Sequence, residues 1–273
     1  MTAPGVVRSG VGFRHVVVIP LNADGYPNAT DTTPYEGTQI SGAQALTIDD
    51  PEPRDIVHFG DDRVFQRDVL PPTTPISGEL RVGKISDTVD AALGDDASFT
   101  VGEAKMFGIG SDNKGDENQV AILAYRQALN SDTSSGDYGK RYWEARLFPR
   151  AYVIGRESGF EDSPEEKAYA VRPLFVKEHL WGEAFATGTE GFEQAQGIRI
   201  VSEYKPKVVG FLGDGSQVTF VLPTSYPAQA TGKMLMWNNG VEQTAGYTFR
   251  ITDIVFSSAP SDGDDIVLFY EYE

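Results

Sequence analysis

Acid-base or metal chemistry in this 273-residue chain would have to come from three histidines, His15, His58 and His179, and from forty carboxylates. Cysteine is absent, which removes thiol catalysis, thiolate zinc sites and disulfides together and leaves the redox compartment open. The densest grouping is His58 with Asp61, Asp62 and Asp68, which could be drawn as a metal or acid-base cluster. Yet Gly60-Asp61-Asp62 between two apolar runs is also ordinary turn chemistry, and the turn is the preferred reading. The same holds for Asp262, Asp264 and Asp265 around Gly263. The loop GSDNKGDEN at 110–118 lacks the alternating ligand spacing and closing glutamate of a calcium-binding EF-hand. No nucleophile elbow, phosphate loop or zinc-binding His-Glu pair occurs, and Gly108-Ile109-Gly110 lacks the third glycine and following helix of a dinucleotide fingerprint. A glycoside hydrolase needs only two carboxylates, so that alternative stays open. No catalytic, cofactor-binding or metal-ligating residue is assigned, and no cofactor is expected.

The elements that would position any site are extended. The chain has 29 Gly and 16 Pro, with short apolar runs rich in Val, Thr, Tyr and Phe, a pattern of mainly β structure. An opening strand is predicted over Phe13 to Leu21, followed by a polar surface loop from Asn22 to Thr38. Asn28-Ala29-Thr30 fits the glycosylation tripeptide but is set aside, because the N-terminus has no continuous apolar segment of secretion-signal type. Gln39 to Leu70 reads as two short strands about a turn. Leu70 to Thr74 (LPPTT) is extended but cannot be central strand, since proline donates no ladder hydrogen bond. Glu79 to Ile85 alternates. Asp87 to Leu93 is the best short helix, with Ser86 or Asp87 as N-cap and Gly94 to end it. Phe99 to Gly110 is extended again. The run NQVAILAYRQALNS (118–131) fits a capped helix or a buried strand. Strand is favoured because the turn from Ser131 to Gly139 would pair it with a strand over Tyr142 to Val153.

Lys140 to Lys177 holds the longest extended patterns. Trp143, Ala145, Leu147, Ala151 and Val153 share one parity, and Tyr142, Glu144, Arg146, Phe148, Arg150 and Tyr152 the other. The first set is core. The second mixes aromatic rings with arginines, the composition of a protein interface, although cross-strand pairing with arginine stems along the surface would also produce it. An acidic connector, Gly155 to Lys167, leads to a second strand over Ala168 to Val176. Ser202 to Lys207 (SEYKPK) reads as a linker. Beyond it, Val208 to Glu273 alternates strand and turn, with Asn239-Gly240 as a type I′ hairpin and Asp262-Gly263 as a second tight turn, and it reads as a compact β-sandwich module.

With 40 acidic and 23 basic residues the chain carries −17, which argues against binding nucleic acid through phosphate contacts. Solubility, or adaptation to salt, explains such acidity equally well. No apolar run approaches the length of about 20 residues that spans a bilayer, so no membrane association is expected.

Several stretches, TPYEGTQISGAQALTIDDPEPRDIVHFGDD, GEAKMFGIGSDNKGDENQVAILAYRQAL and RYWEARLFPRAYVIG, resemble the major tail (tail tube) proteins of long-tailed bacteriophages. GDGSQVTFVLP with WNNGVEQTAGYTFRITDIVFSSAPSDGDDIVLFYEY resembles a small β module recurrent in phage structural proteins. The resemblance implies a mainly β fold: a β-sandwich or barrel domain with a short flanking helix and long loops over 1–203, and a small Ig-like β-sandwich over 204–273. It implies no enzyme. It implies hexameric rings stacked into a tail tube in the virion, made in the host cytoplasm, with other tail proteins at the tube ends and DNA passing through the lumen without specific binding. Six copies at −17 give a ring −102 (6 × −17), suited to an acidic lumen that repels phosphate. Tyr142, Arg146, Phe148, Arg150 and Tyr152 become candidates for packing within or between subunits. The loop at 22–38 and the turn at 131–139 become candidates for ring-to-ring contact, and the C-terminal module an exterior decoration whose loss is tolerated. A receptor- or carbohydrate-binding tail protein is the alternative in a different class.

Overall fold

The computed structural model describes residues 8–40, 42–49, 54–60, 63–70, 77–83, 93, 98–101, 104–107, 119–131, 136–156, 167–174 and 197–272. These residues are mainly β, arranged in antiparallel sheets. The largest contains β1 (Arg8–Pro20), β2 (Thr38–Ile40), β3 (Ala43–Asp49), β6 (Ser77–Val82), β9 (Gln119–Asn130), β10 (Arg141–Arg156), β11 (Lys167–Pro173) and β12 (Ile198–Ser202). Its order is β2-β1-β9-β10-β11-β6-β3, with β12 alongside β10. Because β2 pairs with β1 while β3, which comes after it beyond Ser41 and Gly42, pairs with β6, the sheet curls until its two ends meet. Within the 118–131 run, Gln119–Asn130 is strand β9, central between β1 and β10, which explains its near-continuous apolar sequence VAILAY.

Inside the curl, Val16, Val18, Ile40, Leu80, Val120, Ile122, Phe148, Val153, Tyr169 and Val171 form one core. Leu93 joins it fully buried with helical backbone, and the rest of the helix expected over 87–93 lies outside the described residues. Two hairpins stand apart from the large sheet: β4 (Arg54–Gly60) with β5 (Arg63–Leu70), and β7 (Ser98–Val101) with β8 (Ala104–Phe107). The first pairs Gly60 with Arg63, the register that a two-residue connection requires. The residues at 61 and 62, the prolines at 71 and 72 and the acidic loop at 110–118 lie outside the described residues.

The C-terminal stretch builds two sheets. One has the order β13 (Lys205–Leu212), β19 (Asp265–Tyr272), β15 (Met234–Asn238) and β16 (Val241–Glu242). The other has β14 (Thr219–Val221), β18 (Asp253–Phe256) and β17 (Tyr247–Phe249). Their facing sides share Val209, Phe211, Phe220, Met236, Ile254, Ile266, Leu268 and Tyr270. The expected Asn-Gly turn joins β15 to β16 with both residues at positive φ, Asn239 at 48° and Gly240 at 74°, the backbone of a type I′ hairpin.

The segment read as a linker is mostly strand. Only Glu203 and Tyr204 separate β12 from β13, and Lys205, Pro206 and Lys207 pair with Tyr272, Glu271 and Tyr270. Proline is tolerated because β13 lies at the edge of its sheet. The alternate residues of that sheet, Val208, Leu235, Trp237, Val267 and Phe269, pack against Ile19, Leu21, Tyr26, Leu123, Tyr125, Ala145 and Leu147 on the outside of the curled sheet. One hydrophobic core therefore crosses the 203/204 boundary. The β13-β19-β15 sheet is covered on both faces, which accounts for the unbroken apolar runs VVGFL and IVLFY.

Candidate subunit interface

The strand singled out by sequence, β10, is divided by a bulge. Phe148 pairs with Ile122 and Ala151 with Val120, so β10 has one residue more than β9 over Pro149 and Arg150. Proline cannot complete the ladder, and an extra residue reverses the side of every side chain beyond it. Before the bulge, Ala145 and Leu147 face the C-terminal sheets while Phe148 faces the inside of the curl. After it, Ala151 and Val153 face the inside instead. The single face expected for Tyr142, Arg146, Phe148, Arg150 and Tyr152 is therefore two faces, with Arg150 and Tyr152 on the opposite side from the other three.

Their surroundings differ as well. Tyr142 is 2% and Phe148 3% exposed, so both are packed within the chain. Tyr152 and Arg150 are half-buried beside Gln119: the Arg150 Nε donates to its Oε1 at 2.6 Å, and its Nε2 lies 3.4 Å from the Tyr152 hydroxyl. Arg146 is exposed. Between Tyr142 and Arg146 sits Glu144, only 3% exposed, which shares their face in the sequence pattern but has no role assigned there. Its Oε2 accepts from Arg126 of β9 at 2.6 Å and its Oε1 from Arg199 of β12 at 2.7 Å, so one carboxylate ties three strands. Burial by itself raises the Glu144 pKa, but the bonds from Arg199 and Arg126 outweigh it and hold the carboxyl below its usual range.

A second polar cluster lies where the curled sheet meets the C-terminal sheets. The Lys205 ammonium sits over the rings of Tyr125, Trp143 and Tyr272, at 4.7, 5.1 and 5.5 Å from their centroids. Tyr125 donates its hydroxyl to the Pro206 carbonyl at 2.5 Å, and His15 packs on the Tyr125 ring at 4.8 Å. Burial, with Lys207 nearby, lowers the Lys205 pKa to about 8. Burial and both lysines lower that of His15 to about 4. Lys207 pairs with Glu36 at 2.5 Å and lies 3.7 Å from the Tyr226 ring centroid.

Glu36 belongs to the 22–38 loop, which is ordered by this chain rather than left free. Tyr35 and Gly210 exchange backbone hydrogen bonds of 2.9 Å each, Leu212 donates to the Asp31 carbonyl at 2.8 Å, and Asn22 reaches Asp265 at 3.3 Å. A β-carbon on Gly210 would lie 2.5 Å from that of Pro27, so the approach requires glycine. The carboxylates near Gly263 have structural partners too. Asp264 accepts from Asn238, Asn239 and the Ser261 amide at 3.2, 2.8 and 2.8 Å.

Sequence could locate the break at Pro149 only by the rule that a proline inside a strand marks an edge or a bulge. The Glu144 bridge and the Lys205 box join residues 55 and 80 positions apart and leave no local signature. Comparisons with protein-family models, with curated proteins and with solved structures find no match for this chain.

Proposed function

We propose that this chain is a structural subunit that assembles into stacked hexameric rings, forming the tail tube of a bacteriophage virion through which DNA is ejected. In this reading the curled sheet is the ring-forming domain, and the two C-terminal sheets are an Ig-like β-sandwich carried on its outer side. The partners are other copies of the chain, with further tail proteins at the tube ends, and no catalysis is involved. The sequence resemblance motivates the proposal. The observation that carries it is the β4–β5 hairpin, arms of seven and eight residues that pair, among the described residues, only with each other. A two-stranded hairpin is marginal on its own in water. Contact with a neighbouring copy would stabilise it, since an open strand edge can extend a sheet across a subunit boundary.

Replacing Arg54 to Leu70 by a short Gly-Ser turn tests this. The expected product keeps the wild-type far-ultraviolet circular dichroism and a cooperative melt but stays monomeric by sedimentation velocity. Rings or tubes from that variant, equal in yield to wild type, would refute the role given to the hairpin.

A further inference from the structure

Arg146 of β10 and Arg199 of β12 are direct cross-strand partners, so their side chains leave the same face of the sheet. Like charges placed opposite one another weaken a strand pair. Glu144 compensates only part of this, because its two oxygens are taken by Arg199 and Arg126. The Arg146 side chain has neither an ion pair nor a hydrogen bond among the described residues. Among the described residues, the three arginines and the one carboxylate of this face sum to +2 (3 − 1), on a chain of −17. Arg126 and Arg199 keep 47% and 59% of their side-chain surface open, so the free donors of all three arginines can be reached. An uncompensated break of a local packing rule is characteristic of a functional surface.

We propose that Arg146, flanked by Arg126 and Arg199, is a socket for a carboxylate side chain of a second copy of this chain. The proposal rests on the self-assembly reading and specifies its chemistry. A guanidinium fork receives a carboxylate through two parallel hydrogen bonds, which lysine cannot reproduce. A second copy is the fitting occupant because each copy carries an excess of 17 acidic residues. A DNA phosphate is disfavoured, since the same excess on every subunit repels it.

The test is sedimentation velocity of wild type, R146K, R146A and R146E across a concentration series, at low and at high salt, with thermal melts of each. R146E and R146A are expected to raise the concentration needed for self-association by about tenfold or more, the scale of losing a close interfacial ion pair. R146K should fall between them and wild type. High salt should weaken wild-type association and leave R146A unchanged. Melting should be unaffected, or slightly higher for R146A as the repulsion from Arg199 is relieved, which separates a contact defect from a folding defect. R146E that associates as wild type overturns the socket while leaving ring assembly standing. Unchanged association with lost retention on immobilised duplex DNA overturns it in favour of phosphate. Wild type that stays monomeric at every concentration overturns the assembly reading and the socket with it.

Discussion

Glu144, His15 and Lys205 each tie stability to pH in a window set by their surroundings. Glu144 titrates below its ordinary 4.5, so its contribution is present above that value and is lost as pH falls through the folded-state pKa. His15 goes from 6.5 to about 4 on folding, so the unfolded chain takes up the proton first and stability falls on acidification between those values. Urea unfolding followed against pH should show both losses. E144Q should flatten the curve below pH 4.5, and His15→Phe should flatten it between 6.5 and 4. Lys205 has its pKa lowered from 10.5 to about 8, so the folded state sheds the proton first and stability rises between these values. Buried Tyr125, Tyr270 and Tyr272 keep their protons above pH 10 when the unfolded chain has lost them, which turns the curve down there. Lys205→Met should remove the rise and leave the decline; a wild-type curve flat from pH 8 to 10 would show that the three rings hold the cation as well as water does. Phe220, fully buried between the C-terminal sheets, carries a packing prediction: F220A should cost about 3–5 kcal/mol in equilibrium unfolding.

At the scale of elements, the 22–38 loop and strand β13 act as one unit. G210A should push Pro27 away and break the Tyr35–Gly210 pairing, and the measurable consequence is faster amide hydrogen exchange at residue 210 and at Leu212, whose partners are the Tyr35 and Asp31 carbonyls. Unchanged protection at both amides would mean the loop does not hold β13. The strands themselves are legible in sequence: β9, the β4–β5 hairpin and the Asn239-Gly240 turn arise from apolar runs and turn residues with local causes. Two departures share a different cause. Residues 205–207 look like a linker because Lys-Pro-Lys is polar, yet Lys205 and Lys207 lie in aromatic and acidic surroundings that only the folded chain assembles. Period-two counting misjudges the β10 face because it passes straight through Pro149, while one extra residue there exchanges the two sides. Of the candidate interface, Arg146 is visible in sequence as an arginine on an aromatic face. That its charge is unmatched among the described residues is not, since that depends on Glu144 already serving Arg126 and Arg199.

For the whole molecule, the shared core changes what truncation should do. Residues 204–273 are not separable at little cost, because Ile19, Leu21, Leu123 and Leu147 are buried against Val208, Trp237, Val267 and Phe269. Removing them should yield insoluble or aggregated protein, checked by the soluble fraction after expression; a soluble 1–203 fragment with a cooperative melt would contradict the shared core. If the chain assembles as proposed, the same packing would carry the C-terminal sheets as a rigid layer rather than a swinging appendage. The central claim, that copies of this chain build a tube, is tested most directly by electron microscopy of the purified wild-type protein over a concentration series. Six-fold rings that stack into hollow tubes are the expected result, and dispersed monomers at every concentration would contradict tube assembly.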